Sequence, residues 1–209
     1  MNKIPAFTIP FYEFMCDEHL ITEILDIAKS SEYTPNASNK TSQYRLRYKP
    51  LIQWINQCLD EVKNDLHDES SKFELKVTDC WLNKSSYTEK HHTHSHANSL
   101  YSGVLYLTTH DKKSTTKFLF PNPFHNLEFT NLFTMGSHVI TSKKTLMSEI
   151  TPVAGKMIIF PSHIQHETTT HITRDTRYTV AFNSFVSGVI GVDDNLTRLH
   201  ITTHYLDEE

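Results

Sequence analysis

The chain has 209 residues, 38% of them hydrophobic and 21% charged, and a formal net charge of -4. That suits one ordinary globular domain with a single core and argues against nucleic acid as a partner. Only 5 glycines stand against 14 histidines, with neither a dinucleotide fingerprint nor a Walker A motif, so phosphate-cradling folds are disfavoured and a metal is suggested.

The first third reads as helical. Leu20, Ile24, Ile27 and Ala28 recur at helical spacing, behind Asp17 and Glu18 at the expected start. A polar segment from Ser30 to Lys49 reads as an ordered surface loop. Pro50 suits the first turn of a second helix, whose stripe is Leu51, Ile55, Cys58, Leu59, Val62 and Leu66. From Phe73 the period changes to two. Phe73 to Leu82 alternates, and Leu100–Thr108, Lys117–Phe120, Thr145–Ile150, Lys156–Phe160 and Arg177–Phe185 are short and rich in β-branched or aromatic residues. Val189 to Tyr205 offers one more strand. The spacing predicts a mainly β protein, a sandwich or jelly-roll barrel with supporting N-terminal α-helices. We divide this single domain, 1–209, into helical support (1–70), β core (71–187) and a C-terminal extension (188–209). The aromatic-rich stretch from Pro121 to Met147 suits a lid over a site.

Cys16, Cys58 and Cys80 are widely spaced, forming neither a disulfide framework nor a CxxC site, which indicates free thiols in a reducing compartment. Met1 to Phe14 lacks a signal-peptide pattern, and no apolar stretch is long enough to cross a bilayer. A cytoplasmic location is therefore expected.

Four histidines fall within His91-His92-Thr93-His94-Ser95-His96, just before a strand. In extended chain, residues two apart share a face, so His94 and His96 can aim at one point, as can His92 and His94. Two imidazoles on one strand make half of a metal site. A later strand, Phe160-Pro161-Ser162, turns and places His166 beyond it. Arg177 opens a further strand in which Arg177, Thr179, Ala181 and Asn183 share a face. An Arg with a hydroxyl two residues on can hold a carboxylate by a bidentate fork and a third hydrogen bond, although an Arg paired with an acid at a sheet edge fits the same pattern.

Taken in order, Trp81-Leu82-Asn83, His94-Ser95-His96-Ala97-Asn98-Ser99, Ser102 to Leu107, Phe160-Pro161-Ser162, His166 and Arg177 to Asn183 resemble the Fe(II)/2-oxoglutarate-dependent oxygenases, and within them a group of small bacterial and phage members. The resemblance covers roughly Phe73 to Ser187. It implies a double-stranded β-helix, with Fe(II), 2-oxoglutarate and O2 as cofactor and cosubstrates. It makes His94 the first iron ligand and His166 the distal one. Arg177 and Thr179 match the pair that holds the distal carboxylate of 2-oxoglutarate. Tyr106 resembles a tyrosine some members use there, and reads equally as a core aromatic. No catalytic residue beyond the metal site is implied.

The departure is the second ligand. Most of the family has His-x-Asp or His-x-Glu, whereas this chain has His-x-His, as the small group also does. We assign His96 as the third ligand. Glu89 or Asp111 could instead supply a carboxylate, water could fill the position, and His92 could replace one member of the pair. His91, His163 and His171 read as surface or supporting residues.

The implied activity is oxidative decarboxylation of 2-oxoglutarate to succinate coupled to oxidation of a substrate C–H bond, with hydroxylation as the default. Two alternatives remain: a three-histidine cupin-type iron dioxygenase without a 2-oxo acid, and a non-catalytic metal-binding module. A prolyl or other protein side chain and a small molecule are both candidate substrates. Oligomeric state is not encoded legibly.

Overall fold

The computed structural model describes residues 9–36, 41–66, 72–110, 114–119, 147–191 and 196–205. The expected lid, Pro121 to Met147, lies outside the described residues except for Met147.

Helix α1, Glu18–Ser30, starts where Asp17 accepts the His19 amide on its side chain, and it buries Ile21, Ile24 and Ala28 on one stripe. Helix α2, Lys49–Leu66, buries Leu51, Ile52, Ile55, Cys58, Leu59 and Val62. The strands are β1 (Tyr12–Met15), β2 (Thr34–Pro35), β3 (Ser42–Arg45), β4 (Phe73–Ser85), β5 (Tyr101–Tyr106), β6 (Thr116–Leu119), β7 (Met147–Ile150), β8 (Lys156–Pro161), β9 (Gln165–Thr168), β10 (Arg177–Ile190) and β11 (Leu199–Ile201). The segment expected as a loop, Ser30 to Lys49, thus carries β2 and β3, and the expected helical support also carries β1. All three are short strands at or near the sheet's margins: β1 pairs with β8, β3 with β4, and β2 with β3.

The strands form two antiparallel sheets. The major sheet runs β1-β8-β5-β10-β4-β3-β2, with β11 on β10, and the minor sheet runs β7-β6-β9. This is the jelly-roll arrangement. Alternation gives the major sheet two faces with different neighbours. Met157, Ile159, Leu105, Val180, Phe182 and Leu82 join the buried residues of both helices in the larger core. Ile158 and Phe160 point the other way and join Tyr106, Ile164 and Phe118 of the minor sheet in a second, smaller core.

One of the few glycines is placed by contact. Gly103 sits centrally in β5, where an added Cβ would lie 2.2 Å from the Phe182 ring. On the opposite face of the same strands, β10 presents Arg177, Thr179 and Ala181 opposite Ser85, Asn83 and Trp81 of β4. That face, closed over by the smaller core and by β9, forms the floor of the site.

Candidate metal centre and anion pocket

His94 and His166 face each other across an antiparallel bridge, each amide donating to the other's carbonyl at 3.0 and 2.9 Å. The chain from His91 keeps company with β9 further along. The Thr168 amide donates to the His91 carbonyl at 3.2 Å, and the His91 amide donates to Thr168 Oγ1 at 2.8 Å. β9 is therefore held between β6 and the histidine segment. His96 is fixed through its own amide, which donates to the Ser162 carbonyl at 3.0 Å, just beyond β8.

This backbone arrangement gathers three imidazoles. One ring nitrogen from each of His94, His96 and His166 lies within 4.8 Å of the others. His96 Nε2 and His166 Nε2 are 3.3 Å apart. His94 Nδ1 faces the His92 carbonyl at 2.9 Å, and His166 Nδ1 faces the Ile164 carbonyl at 3.1 Å. A ring nitrogen that faces a carbonyl carries the proton, so Nε2 of each presents a lone pair. Burial keeps the rings neutral. Desolvation, with His94 nearby, pushes His166 down to about 3 and His96 to about 4, and burial also lowers His94. Three neutral imidazoles that present lone pairs to one point suit a divalent transition metal. The donor set fits iron.

The rival histidines are also placed. His91 packs 4.2 Å from the His94 ring, and burial, then His94, pushes it down to about 3. His92 is exposed and stacks on His91 instead. Glu89 turns its carboxylate to the Ser86 amide, and Asp111 lies outside the described residues. His163 is exposed, whereas His171 is buried, bonded to Ser114 and the Asp175 carbonyl.

Arg177 and Thr179 are 4% and 6% exposed. Arg177 Nη2 donates to Thr116 Oγ1 at 3.0 Å, and the Tyr106 hydroxyl donates to the same oxygen at 2.8 Å. With both its lone pairs engaged, Thr116 has its own proton left to donate. Tyr106 is fully buried, and its ring centroid lies 5.8 Å from the Arg177 guanidinium. Its ring packs in the smaller core, and its hydroxyl reaches this corner through Thr116.

Among the described residues no carboxylate lies within 4 Å of the Arg177 guanidinium. The expected alternative, a sheet-edge ion pair, is therefore absent there. Burial lowers the Arg177 pKa, with Tyr106 opposing, yet guanidinium stays charged in proteins. A buried cation with neutral partners is costly until an anion arrives. A pocket of about 590 Å³, its solvent-open side included, is lined by His94, His96, His166, Thr116, Arg177 and Thr179. Trp81 and Asn83 line it as well, and the Trp81 ring lies 5.8 Å from His96. Thr116 escaped the sequence reading, since nothing in Ser114-Thr115-Thr116 marks it and only the register of β6 brings it to Arg177.

Among curated proteins, none matches this chain by sequence. Solved structures share its fold. The Pseudomonas putida prolyl-4-hydroxylase superposes with a TM-score of 0.60 at 12% identity, over 84% of this chain and 93% of that one. The alpha-ketoglutarate-dependent epimerase SnoN from nogalamycin biosynthesis gives 0.60 at 10% identity, over 86% and 81%. HygX from Streptomyces hygroscopicus, solved with nickel and 2-oxoglutarate bound, gives 0.57 at 11% identity, over 85% and 83%. A family described as "Putative 2OG-Fe(II) oxygenase" matches residues 79–183, half of the chain, and that span contains the three histidines, Arg177, Thr179 and Tyr106. The chain belongs to the 2OG-Fe(II) oxygenases, enzymes that use iron, 2-oxoglutarate and O2.

Proposed function

We propose that His94, His96 and His166 hold the iron, that Arg177, Thr179 and Thr116 receive the distal carboxylate of 2-oxoglutarate, and that the outcome is hydroxylation. When bound, iron and 2-oxoglutarate supply the oxidising chemistry: the 2-oxo acid and O2 become succinate and CO2, and a substrate C–H bond gains oxygen. The chain's own residues bind, orient and exclude water. The carbonyls of His92 and Ile164 hold the Nδ1 protons of His94 and His166, which fixes both tautomers. Arg177 offers its remaining N–H donors to one carboxylate, and the Thr116 and Thr179 hydroxyls lie on the same wall. Phe118 and Phe160, each with its ring close to His166, keep one side of the centre dry.

The buried, acid-free guanidinium in the same pocket as the histidines carries this reading. It also separates it from the three-histidine dioxygenase that needs no 2-oxo acid, for which a buried cation there would have no task. The decisive experiment is succinate formation by the reconstituted protein with Fe(II), ascorbate and O2, slow uncoupled turnover being sufficient. A preparation that binds neither Fe(II) nor 2-oxoglutarate would overturn the reading.

We place the substrate among protein side chains, prolyl residues included, and small molecules. The net charge of -4 disfavours a nucleic acid. No helix of the described residues is long and apolar enough to cross a membrane. The three buried free thiols, Cys16, Cys58 and Cys80, support a reducing compartment, the cytoplasm.

A further inference from the structure

The sheet face that floors the site continues past the metal pocket. On β4, Asn83 and Trp81 line that pocket, and Asp79 is the next residue on the same face. β3 sets Gln43 opposite Asn83 and Arg45 opposite Trp81. On the other side, β10 sets Asn183 opposite Asp79. A second depression, about 790 Å³ with its open side included, is lined by Gln43, Arg45, Asp79, Trp81 and Asn183. Trp81 is a wall of both spaces, and its ring lies 5.8 Å from that of His96.

The second depression has fixed polar walls. Arg45 Nε lies 3.3 Å from Asp79 Oδ1, and the Arg45 guanidinium sits over the Tyr205 ring, 5.6 Å from its centroid. Tyr205 is itself buried, its hydroxyl anchored to the Leu46 and Cys80 carbonyls at 3.0 and 2.9 Å. A long side chain is thereby held in one place, so little of its freedom remains to be lost when a partner arrives. An exposed ion pair adds little to stability, and with Arg45 58% and Asp79 46% exposed both groups remain open to a ligand. Their charges cancel, which disfavours a strongly anionic or cationic ligand. Gln43 Nε2 donates to Asn83 Oδ1 at 3.3 Å, so the neutral amides are oriented too. The walls thus offer N–H donors beside carbonyl and carboxylate acceptors, repeating along β3 and β4 at the spacing of alternate strand residues, roughly 6–7 Å. An extended peptide laid along those strands has the same period and presents the complementary C=O and N–H groups. A small metabolite has no such repeat.

We propose that this depression is a substrate subsite and that the substrate is a polypeptide. Its reacting side chain passes Trp81 toward the metal while its flanking backbone lies against Gln43, Arg45 and Asp79. Gln43 and Arg45 set specificity without touching the metal or 2-oxoglutarate. The inference rests on the metal and 2-oxoglutarate reading of the neighbouring pocket and deepens it, choosing a polypeptide over a small molecule.

The test is selection from a random dodecapeptide library on the immobilised full chain loaded with Mn(II) and 2-oxoglutarate, followed by calorimetric titration of the enriched peptide. A peptide should be enriched. Arg45→Ala should weaken its binding about 10- to 30-fold, as for an Arg that anchors an interface. Gln43→Ala should weaken it several-fold, and it carries the test should Arg45→Ala fold poorly. Both variants should hold Mn(II) and 2-oxoglutarate as the parent does. If the parent binds Mn(II) and 2-oxoglutarate but enriches no peptide, the polypeptide assignment is overturned while the reading of the metal pocket stands. If the enriched peptide binds both variants within twofold of the parent, the subsite is overturned. If the parent binds neither Mn(II) nor 2-oxoglutarate, the reading of the metal pocket falls and this inference with it.

Discussion

Replacing Arg177 by Met retains most of the side chain's length and removes its charge. In the ligand-free chain that charge is buried, bonded to Thr116 and faced by Tyr106, with no carboxylate in reach among the described residues. Replacing buried charges by apolar groups is often neutral or stabilising, by about 1–4 kcal/mol for whole ion pairs. The lost bond to Thr116 offsets about 1 kcal/mol of any gain. The metal-free variant should thus melt at or above the parent, with each 1 kcal/mol worth roughly 2–4 °C at this chain length. Binding should move the other way. Truncating one partner of a buried, hydrogen-bonded charge pair costs about 2–5 kcal/mol. The lower half of that range already corresponds to roughly a 30- to 300-fold loss. Anaerobic calorimetric titration of 2-oxoglutarate into the Mn(II)-loaded variant measures it, and Mn(II) binding alone should be unaffected. A 2-oxoglutarate affinity within threefold of the parent would refute the reasoning. So would a large drop in melting temperature, which would mean that Arg177 holds the fold rather than the ligand.

Further outcomes follow from the same contacts. Gly103→Ala places a methyl 2.2 Å from the Phe182 ring and should cost about 1–3 kcal/mol by chemical denaturation; an unchanged midpoint would mean that the ring yields freely. Tyr106→Phe removes the hydroxyl that orients Thr116, so 2-oxoglutarate affinity should fall several-fold while Mn(II) affinity holds. Leu59→Ala on α2 empties a fully buried position and should cost about 2–5 kcal/mol without altering the ratio of metal to chain at saturation. The metal-free chain should lose stability in acid. His91, His96 and His166 are lowered from 6.5 to about 3, 4 and 3, so the unfolded chain takes up protons first. Stability is full above about 6.5 and falls as pH drops toward about 3, as melting curves across that window would reveal.

The core strands were legible because burial on both faces or alternation marks them: Phe73 to Leu82 became part of β4, and Lys156 to Phe160 became β8. The marginal strands were not. Ser42-Gln43-Tyr44-Arg45 has no apolar run, and it is a strand only because β4 offers it a ladder. Gln165-His166-Glu167-Thr168 is polar throughout and is held by β6 and the histidine segment. The His94/His96 pair was readable from extended-chain geometry, although a single bridge rather than a full strand supports it. Sheet register supplied what sequence could not: Thr116 beside Arg177. Those residues are distant in sequence and carry no local pattern.

The central claim is that three histidines hold the metal while Arg177 holds the far carboxylate of 2-oxoglutarate in the same pocket. An anaerobic crystal structure of the chain loaded with Mn(II) and 2-oxoglutarate tests it most directly. The account predicts one metal bonded by His94, His96 and His166, with one 2-oxoglutarate carboxylate in contact with Arg177 and Thr116. A metal bonded by a carboxylate in place of His96, or a 2-oxoglutarate that does not touch Arg177, would contradict it.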